Sequence, residues 1–463
     1  MKKYRLLSLL LLLSLVMTLL PIPAAAADEP ELYCTHAILM DGNYNEILYD
    51  KDAYGKAYPA SITKVTTALL VMEALDSGKL TLNQKVTAGP TALDDLTGNY
   101  STANIKIGDS LTVEQLLYCL LLPSANEAAN ILAVAVDGSI DGFVEHMNQR
   151  AKELGCKGTH YVNPHGLHDP DHYTTAYDIA LVMQAALNHD LFRTIIKTAV
   201  YNLPAKGESA DGTGTEKAQT FYNTNGLISN LHYRGYVYDK CIGGKTGNTD
   251  EAGRCLVAAA EDGETLLISV VLGSGPVTLP GEREAKQGQL ISSRRLLQWG
   301  FDNFKRVTIT QGDEPVDEVA VTLSRQADKV LVKPQGTVTR TLPKDLDVSQ
   351  IETTVTLFSP TVEAPVEAGQ VLGSMELSYD GTVYGTIDLV AVTSVERSEL
   401  LYKKAQFLGF FQHFGVRLVL GLILLAAAIV VLRITVFRKS RRYGAGYGGK
   451  RRTGSYHGGR RRR

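Results

Sequence analysis

The sequence predicts an α+β domain, an antiparallel sheet with flanking helices and a helical cluster, followed by a small all-β domain and a C-terminal transmembrane helix. Three observations carry this reading. A strand hairpin precedes a run of helical stretches, and a meander of strands closed by one more helix follows them. Over residues 305–393 Val and Thr then alternate with few helical periods. An uncharged apolar run comes next, long enough to cross a bilayer.

The elements follow in order. The first residues, "MKKYRLLSLLLLLSLVMTLLPIPAAAADEP", carry Lys2, Lys3 and Arg5, then an apolar run, then small residues. This is the pattern of a secretory signal peptide over 1–27, cleaved after Ala25, Ala26 or Ala27, with an uncleaved anchor helix as the alternative. Two short runs, "AILMD" and "EILYD", surround a Gly-Asn-Tyr-Asn turn and read as a hairpin. Helical periods follow in "SITKVTTALLVMEAL", "VEQLLYCLLL", "NEAANILAVAV", "DGFVEHMNQRAKEL" and "AYDIALVMQAAL". Strands return in "YVYDKCIGGKTG", "GRCLVAAAE" and "TLLISVVLG", separated by the turn signals "NTDEAG" and "EDGE". A closing helix, "AKQGQLISSRRLLQWGFDNF", ends the first domain at 304. Residues 305–395 form the β-rich domain, in which no catalytic constellation is legible. Its position between catalytic unit and anchor suits a spacer.

Residues 396–415 mix Leu, Phe and Tyr with Lys, as in an amphipathic helix on a membrane surface or a plain linker helix. The span covers 416–437, with Arg433 snorkelling to the interface. The tail, 438–463, has eleven Lys or Arg and no acid, so positive-inside bias puts it in the cytoplasm and the rest outside. The expected location is therefore the cell membrane, single-pass, with the catalytic domain extracytoplasmic and the tail touching anionic lipid. The formal net charge of −2 hides this segregation, basic ends around an acidic middle, and no nucleic-acid partner is expected.

The five cysteines are odd in number and sparse, which excludes a disulfide framework, and no spacing resembles a metal site. No metal or cofactor is expected. Cys119 reads as a small buried hydrophobe, whereas Cys241 and Cys255 flank a hairpin turn and are positioned to face each other across it as a disulfide.

The chemistry begins at "PASITK". If Pro59 precedes the helix, Ser61 and Lys64 lie one turn apart on one face, with Ile62, Val65, Leu69 and Met72 at burying positions. A serine needs a base to become a nucleophile, and a desolvated lysine can be one. Moving that lysine to near neutrality means roughly 4 kcal/mol against its charged form. Alone, the spacing reads first as a surface lysine beside an N-capping serine. "PSANEAAN" places Ser124 and Asn126 at a helix start, able to relay a proton and hold a substrate carbonyl, or simply to cap the helix. "GGKTGNT" brings Lys245 and Thr246 out of a strand whose glycines allow close approach, or is an ordinary hairpin. Taken together, Ser-x-x-Lys, Ser-x-Asn and Lys-Thr-Gly in this order are the set shared by penicillin-binding proteins and class A β-lactamases.

On these motifs the chain resembles the low-molecular-mass penicillin-binding proteins, specifically the D-alanyl-D-alanine carboxypeptidases, serine peptidases of the Ser-x-x-Lys type. The resemblance implies a β-lactamase/transpeptidase-like domain over 28–304 that removes the terminal D-alanine from peptidoglycan stem peptides ending in D-Ala-D-Ala through an acyl-enzyme, and that β-lactams trap. It makes Ser61 the nucleophile, Lys64 its base and Ser124 part of the proton relay. It puts Asn126 on the substrate amide, Lys245 and Thr246 on the terminal carboxylate beside Gly247, and the backbone N–H groups of Ser61 and Asn248 in the oxyanion hole. Thr224 stands where some relatives carry an arginine clamp for that carboxylate. A membrane-anchored β-lactamase and a non-catalytic penicillin-binding sensor or scaffold are the alternatives. No Glu-x-x-Leu-Asn loop, the β-lactamase deacylation motif, occurs in the chain.

Overall fold

The computed structural model describes residues 29–208, 212–379 and 381–440. The signal peptide expected over 1–27 and most of the basic tail lie outside them. The chain forms two compact units, the first running to Ile309 and taking back Thr339–Gln350, the second holding Thr310–Val338 and the residues from Ile351 onward.

In the first unit, β1 (His36–Asp41) and β2 (Ile47–Lys51) form the expected antiparallel hairpin. Helix α1 (Lys64–Asp76) follows a single 3-10 turn over Ala60–Thr63. A short pair, β3 (Lys85–Thr87) and β4 (Ser110–Thr112), leads into α2 (Val113–Leu121). Thr112 and Gln115 close a capping box on that helix, each side chain meeting the other's backbone N–H. The cluster continues with α3 (Asn126–Asp137), α4 (Ile140–Glu153), α5 (Ala176–Leu187) and α6 (Asp190–Lys197). A second short pair is β5 (Val200–Leu203) with β6 (Gln219–Tyr222). The meander is β7 (Cys241–Thr249), β8 (Gly253–Asp262) and β9 (Thr265–Ser274), and α7 (Gly288–Asn303) closes it.

The five-stranded antiparallel sheet has the order β2-β1-β9-β8-β7, so β7 is an edge. Both faces are covered. Ile38, Met40, Val257, Ala259, Ile268 and Val270 face the helical cluster, while Leu39, Leu256, Ala258, Leu267 and Val271 face α7. This is period-2 alternation with apolar residues on both sides, and it explains why the strands read as continuous hydrophobic runs. Helix α1 lies at the centre of the cluster and is buried nearly all round, not along one stripe.

One expectation fails. All five cysteines are free. The register pairs Cys241 with Ala260 and Cys255 with Gly247, and a bulge intervenes between Cys241 and Gly243. The two thiols also point to opposite faces, Cys241 into the α7-side core and Cys255 into the helical-side core. No disulfide can join them.

The second unit holds a six-stranded sheet with spatial order Glu352–Leu357, Val371–Tyr379, Thr382–Ala391, Lys329–Pro334, Asp317–Thr322 and Thr361–Glu363. The same unit contains α8 (Glu399–Gln412) and α9 (Phe414–Ser440). The stretch Phe414–Thr435 of α9 is long and apolar enough to cross a membrane, and none of it is buried.

Candidate active site

Ser61 lies within the 3-10 turn, immediately after Ala60, whose φ is +48°. A non-glycine residue in the left-handed region costs free energy and marks a segment held by its surroundings. What holds it is visible. Thr63 Oγ1 donates to Ala60 O at 2.8 Å and accepts from His172 Nε2 at 2.8 Å. The Val162 N–H donates to His172 Nδ1, which fixes the tautomer with the proton on Nε2. Burial keeps His172 neutral, its pKa lowered to about 3. Gly166 packs against the same turn: a Cβ there would lie 1.9 Å from Ala60 O, and its φ is +85°.

Lys64 is fully buried, one 3-10 step beyond Ser61. Its Nζ lies 3.1 Å from Ser61 Oγ, 2.7 Å from Asn126 Oδ1 and 2.6 Å from His165 O. Two of these partners are carbonyl oxygens, which only accept. A charged amine would donate to all three; an uncharged one would spend its two N–H groups on the carbonyls and turn its lone pair to the serine hydroxyl. The electrostatics favour the uncharged form. Desolvation, then the nearby Lys245, hold Lys64 well below its ordinary value, against a smaller opposing pull from Glu127.

Pro123 ends α2, and Ser124 follows with φ +70° before α3 starts at Asn126. Ser124 Oγ is buried without a hydrogen-bond partner among the described residues. It lines the cleft beside Ser61 and is free to take one. Asn126 does something the motif did not disclose, accepting from the amine of Lys64 and fixing it. Glu127, also buried, accepts from Thr102 Oγ1 at 2.6 Å and from the Ala103 N–H at 2.7 Å, pinning the loop that forms the cleft wall.

On the opposite wall, β7 passes so close to the Ser61 turn that a Cβ on Gly247 would lie 2.8 Å from Pro59 O and 3.1 Å from Ser61 N. That approach brings Asn248 alongside Ser61. As an edge strand, β7 has a row of backbone groups available to an extended peptide. Lys245 is buried, donates to Thr246 O at 2.8 Å, and is lowered by desolvation to about 7. Thr246 Oγ1 meets Thr224 Oγ1 at 2.6 Å. Asn223 sets Thr224 up: its Nδ2 donates to Ile196 O and Thr198 O, both at 3.0 Å, and its Oδ1 accepts from the Asn225 N–H at 2.9 Å. The cavity between the walls is about 370 Å³, and Ser61, Ser124, Thr224, Thr246, Gly247 and Asn248 line it.

Of the sequence-predicted residues, Ser61, Ser124, Thr246, Gly247 and Asn248 line one cleft, while Lys64, Asn126 and Lys245 are buried behind its walls. The residue that sequence reading missed is Glu127, which sits inside the quoted "PSANEAAN"; at His165 what it missed is the use of the backbone carbonyl. A backbone acceptor leaves no side-chain signature, and only the neighbouring Gly166 hints at the close packing.

A buried amine 3.1 Å from a serine hydroxyl beside a β-edge is the arrangement of a serine acyl-transfer enzyme of the Ser-Lys type. The comparisons specify which. Residues 23–275 match the D-alanyl-D-alanine carboxypeptidase family, and residues 304–397 match the penicillin-binding protein 5 C-terminal domain. The D-alanyl-D-alanine carboxypeptidase DacF of Bacillus subtilis is 30% identical over 416 residues, covering 88% of this chain and 97% of that protein. Its counterpart DacA of Escherichia coli K12 is 31% identical over 419 residues, covering 85% and 93%. The crystal structure of penicillin binding protein 5 from Haemophilus influenzae superposes with a TM-score of 0.67 at 27% identity, covering 80% of this chain and all of that one. The chain belongs to the D-alanyl-D-alanine carboxypeptidase family. It is a serine-type peptidase with the penicillin-binding fold followed by a sheet-rich C-terminal domain.

Proposed function

We propose that this protein trims the terminal D-alanine from peptidoglycan pentapeptide stems, and that Ser61 carries the acyl group. The observation that carries the reading is the buried Lys64 amine 3.1 Å from Ser61 Oγ. Lys64 Nζ takes the hydroxyl proton as Oγ attacks the carbonyl carbon of the D-Ala-D-Ala bond. The negative charge that develops on the carbonyl oxygen falls between the N–H groups of Ser61 and Asn248. The C–N bond then breaks, the proton passes to the departing amine with Ser124 in the relay, and free D-alanine leaves. Water hydrolyses the acyl-serine by the reverse proton path. Asn126 orients Lys64, while Thr246 meets the terminal carboxylate with Lys245 buried behind it.

β-Lactams enter the same path and stall as the acyl-enzyme. A β-lactamase would need a dedicated base for deacylation, and a sensor would not need a neutral Lys64; the carboxypeptidase reading holds over both. A fluorescent penicillin should label wild type and not Ser61→Ala, and a D-Ala-D-Ala peptide should release D-alanine. Rapid loss of the label would point to a β-lactamase, and labelling without release to a sensor.

The localisation rests on composition. The apolar stretch Phe414–Thr435 is the proposed single-pass anchor, with the catalytic unit extracytoplasmic and residues 1–27 a cleaved signal peptide. Helix α8 exposes Leu400, Phe407, Leu408, Phe410 and Phe411, which favours a membrane-surface role for the 396–415 segment. The 305–395 region is the proposed spacer.

A further inference from the structure

The cleft around Ser61 is polar but almost without charge: of the side chains that line it, Arg254 alone is ionic. Lys64 and Lys245 are buried and do not line it. Burial brings Lys245 down to about 7 and its amine is turned to Thr246 O. At neutral pH it is only partly a cation. A guanidinium stays protonated throughout.

The position of Arg254 follows from the sheet register. Strand β8 pairs with β7 so that Arg254 stands opposite Asn248, and Leu256 opposite Thr246. Paired residues project from the same face, and the diagonal neighbour, here Thr246, is within reach of a long side chain. Thr224 comes to Thr246 from another segment, at 2.6 Å. The remaining neighbours on that side of the cleft, Gln287 and Gln289, are uncharged. Arg254 is half-buried, yet it makes no hydrogen bond or ion pair among the described residues. Five fixed donors left unmatched at a cleft wall form a receptor for a planar anion.

We propose that Arg254 determines specificity by binding the terminal carboxylate of the substrate, with the Thr246 and Thr224 hydroxyls as its companions. The charge that Thr224 cannot supply comes instead from the adjacent strand. This inference rests on the carboxypeptidase reading of the same cleft.

The test uses full-length protein in detergent and two acyl-D-alanyl thioesters that differ only in the leaving group, one ending in a carboxylate and the other in a carboxamide. Wild type should prefer the carboxylate. Arg254→Gln should lower kcat/KM for that substrate by roughly 10- to 100-fold, mostly through KM, as expected for a lost charge-assisted hydrogen bond. Turnover of the carboxamide thioester should change by less than about threefold, so the preference collapses, and Arg254→Lys should keep part of it. An equal loss on both substrates would make Arg254 merely structural and overturn the proposal. An unchanged preference would overturn it as well. If wild type turns over neither thioester and takes no penicillin label, the carboxypeptidase reading falls first and takes this inference with it.

Discussion

At the residue scale, everything turns on two buried lysines that do different work. Lys64 Nζ reaches two carbonyl acceptors, on Asn126 and His165, and the Ser61 hydroxyl, so once uncharged it keeps a lone pair for Ser61. Replacing it with methionine, which fills the same space without a base, should lower penicillin acylation by about 10²–10⁴-fold, as for loss of a general base, while leaving the fold intact. Near-wild-type acylation in Lys64→Met would contradict the role. For Lys245 the prediction concerns stability. Its folded pKa is about 7 and its unfolded value 10.5. Between those limits the unfolded chain binds more protons, so stability rises with pH across the window, and below pH 7 the whole cost is present. That cost is on the order of several kcal/mol. Lys245→Met should therefore raise the melting temperature at pH 6, and the gain should shrink toward pH 10. A gain that grows with pH would have the wrong sign.

At the element scale, the site is the meeting of a 3-10 turn, an interhelix loop and an edge strand, and glycines set how closely they meet. Gly166 lies on the Ala60 backbone at positive φ. Gly166→Ala should destabilise the protein by about 1–3 kcal/mol and should also slow acylation, because the turn it displaces carries Ser61. Denaturant unfolding paired with penicillin labelling checks both; a stable variant that acylates normally would show the contact to be dispensable. This is also where the limits of sequence reading lie. The order of the three motifs, the hairpin and the core helices were legible, because each leaves a local pattern of period or punctuation. The all-round burial of α1 was not, since its Thr66 and Thr67 look polar in sequence yet bond to Tyr161 and to Pro164 O. The Cys241–Cys255 pairing failed because a bulge and face alternation are decided by the sheet, not by distance from the turn. Helix α6, only 8 residues long, is too short to leave a clear helical period in the sequence. The Thr224–Thr246 contact joins segments 22 residues apart and has no spacing signature.

At the scale of the whole molecule, the first unit carries the chemistry and reclaims Thr339–Gln350 from the later chain. Thr341 Oγ1 donates to the buried Asp41 carboxylate, and Arg340 pairs with Glu46 at 2.9 Å. Deletions aimed at the β-rich region must spare that return. Removing residues 399–463, which takes away α8 with α9, is cleaner. The truncated protein should leave the membrane fraction and keep its kcat/KM on a soluble D-Ala-D-Ala peptide, yet act less well on intact wall. A comparable loss on both substrates would argue that α8 or α9 supports the catalytic unit. The central claim, an uncharged Lys64 amine beside Ser61, is open to direct measurement in the folded protein. Selective labelling of Lys64 and an NMR titration of its side chain should show deprotonation well below 10.5, and the Lys245→Met variant should move it upward by removing a neighbouring cation. A Lys64 that titrates near 10.5 would contradict the account.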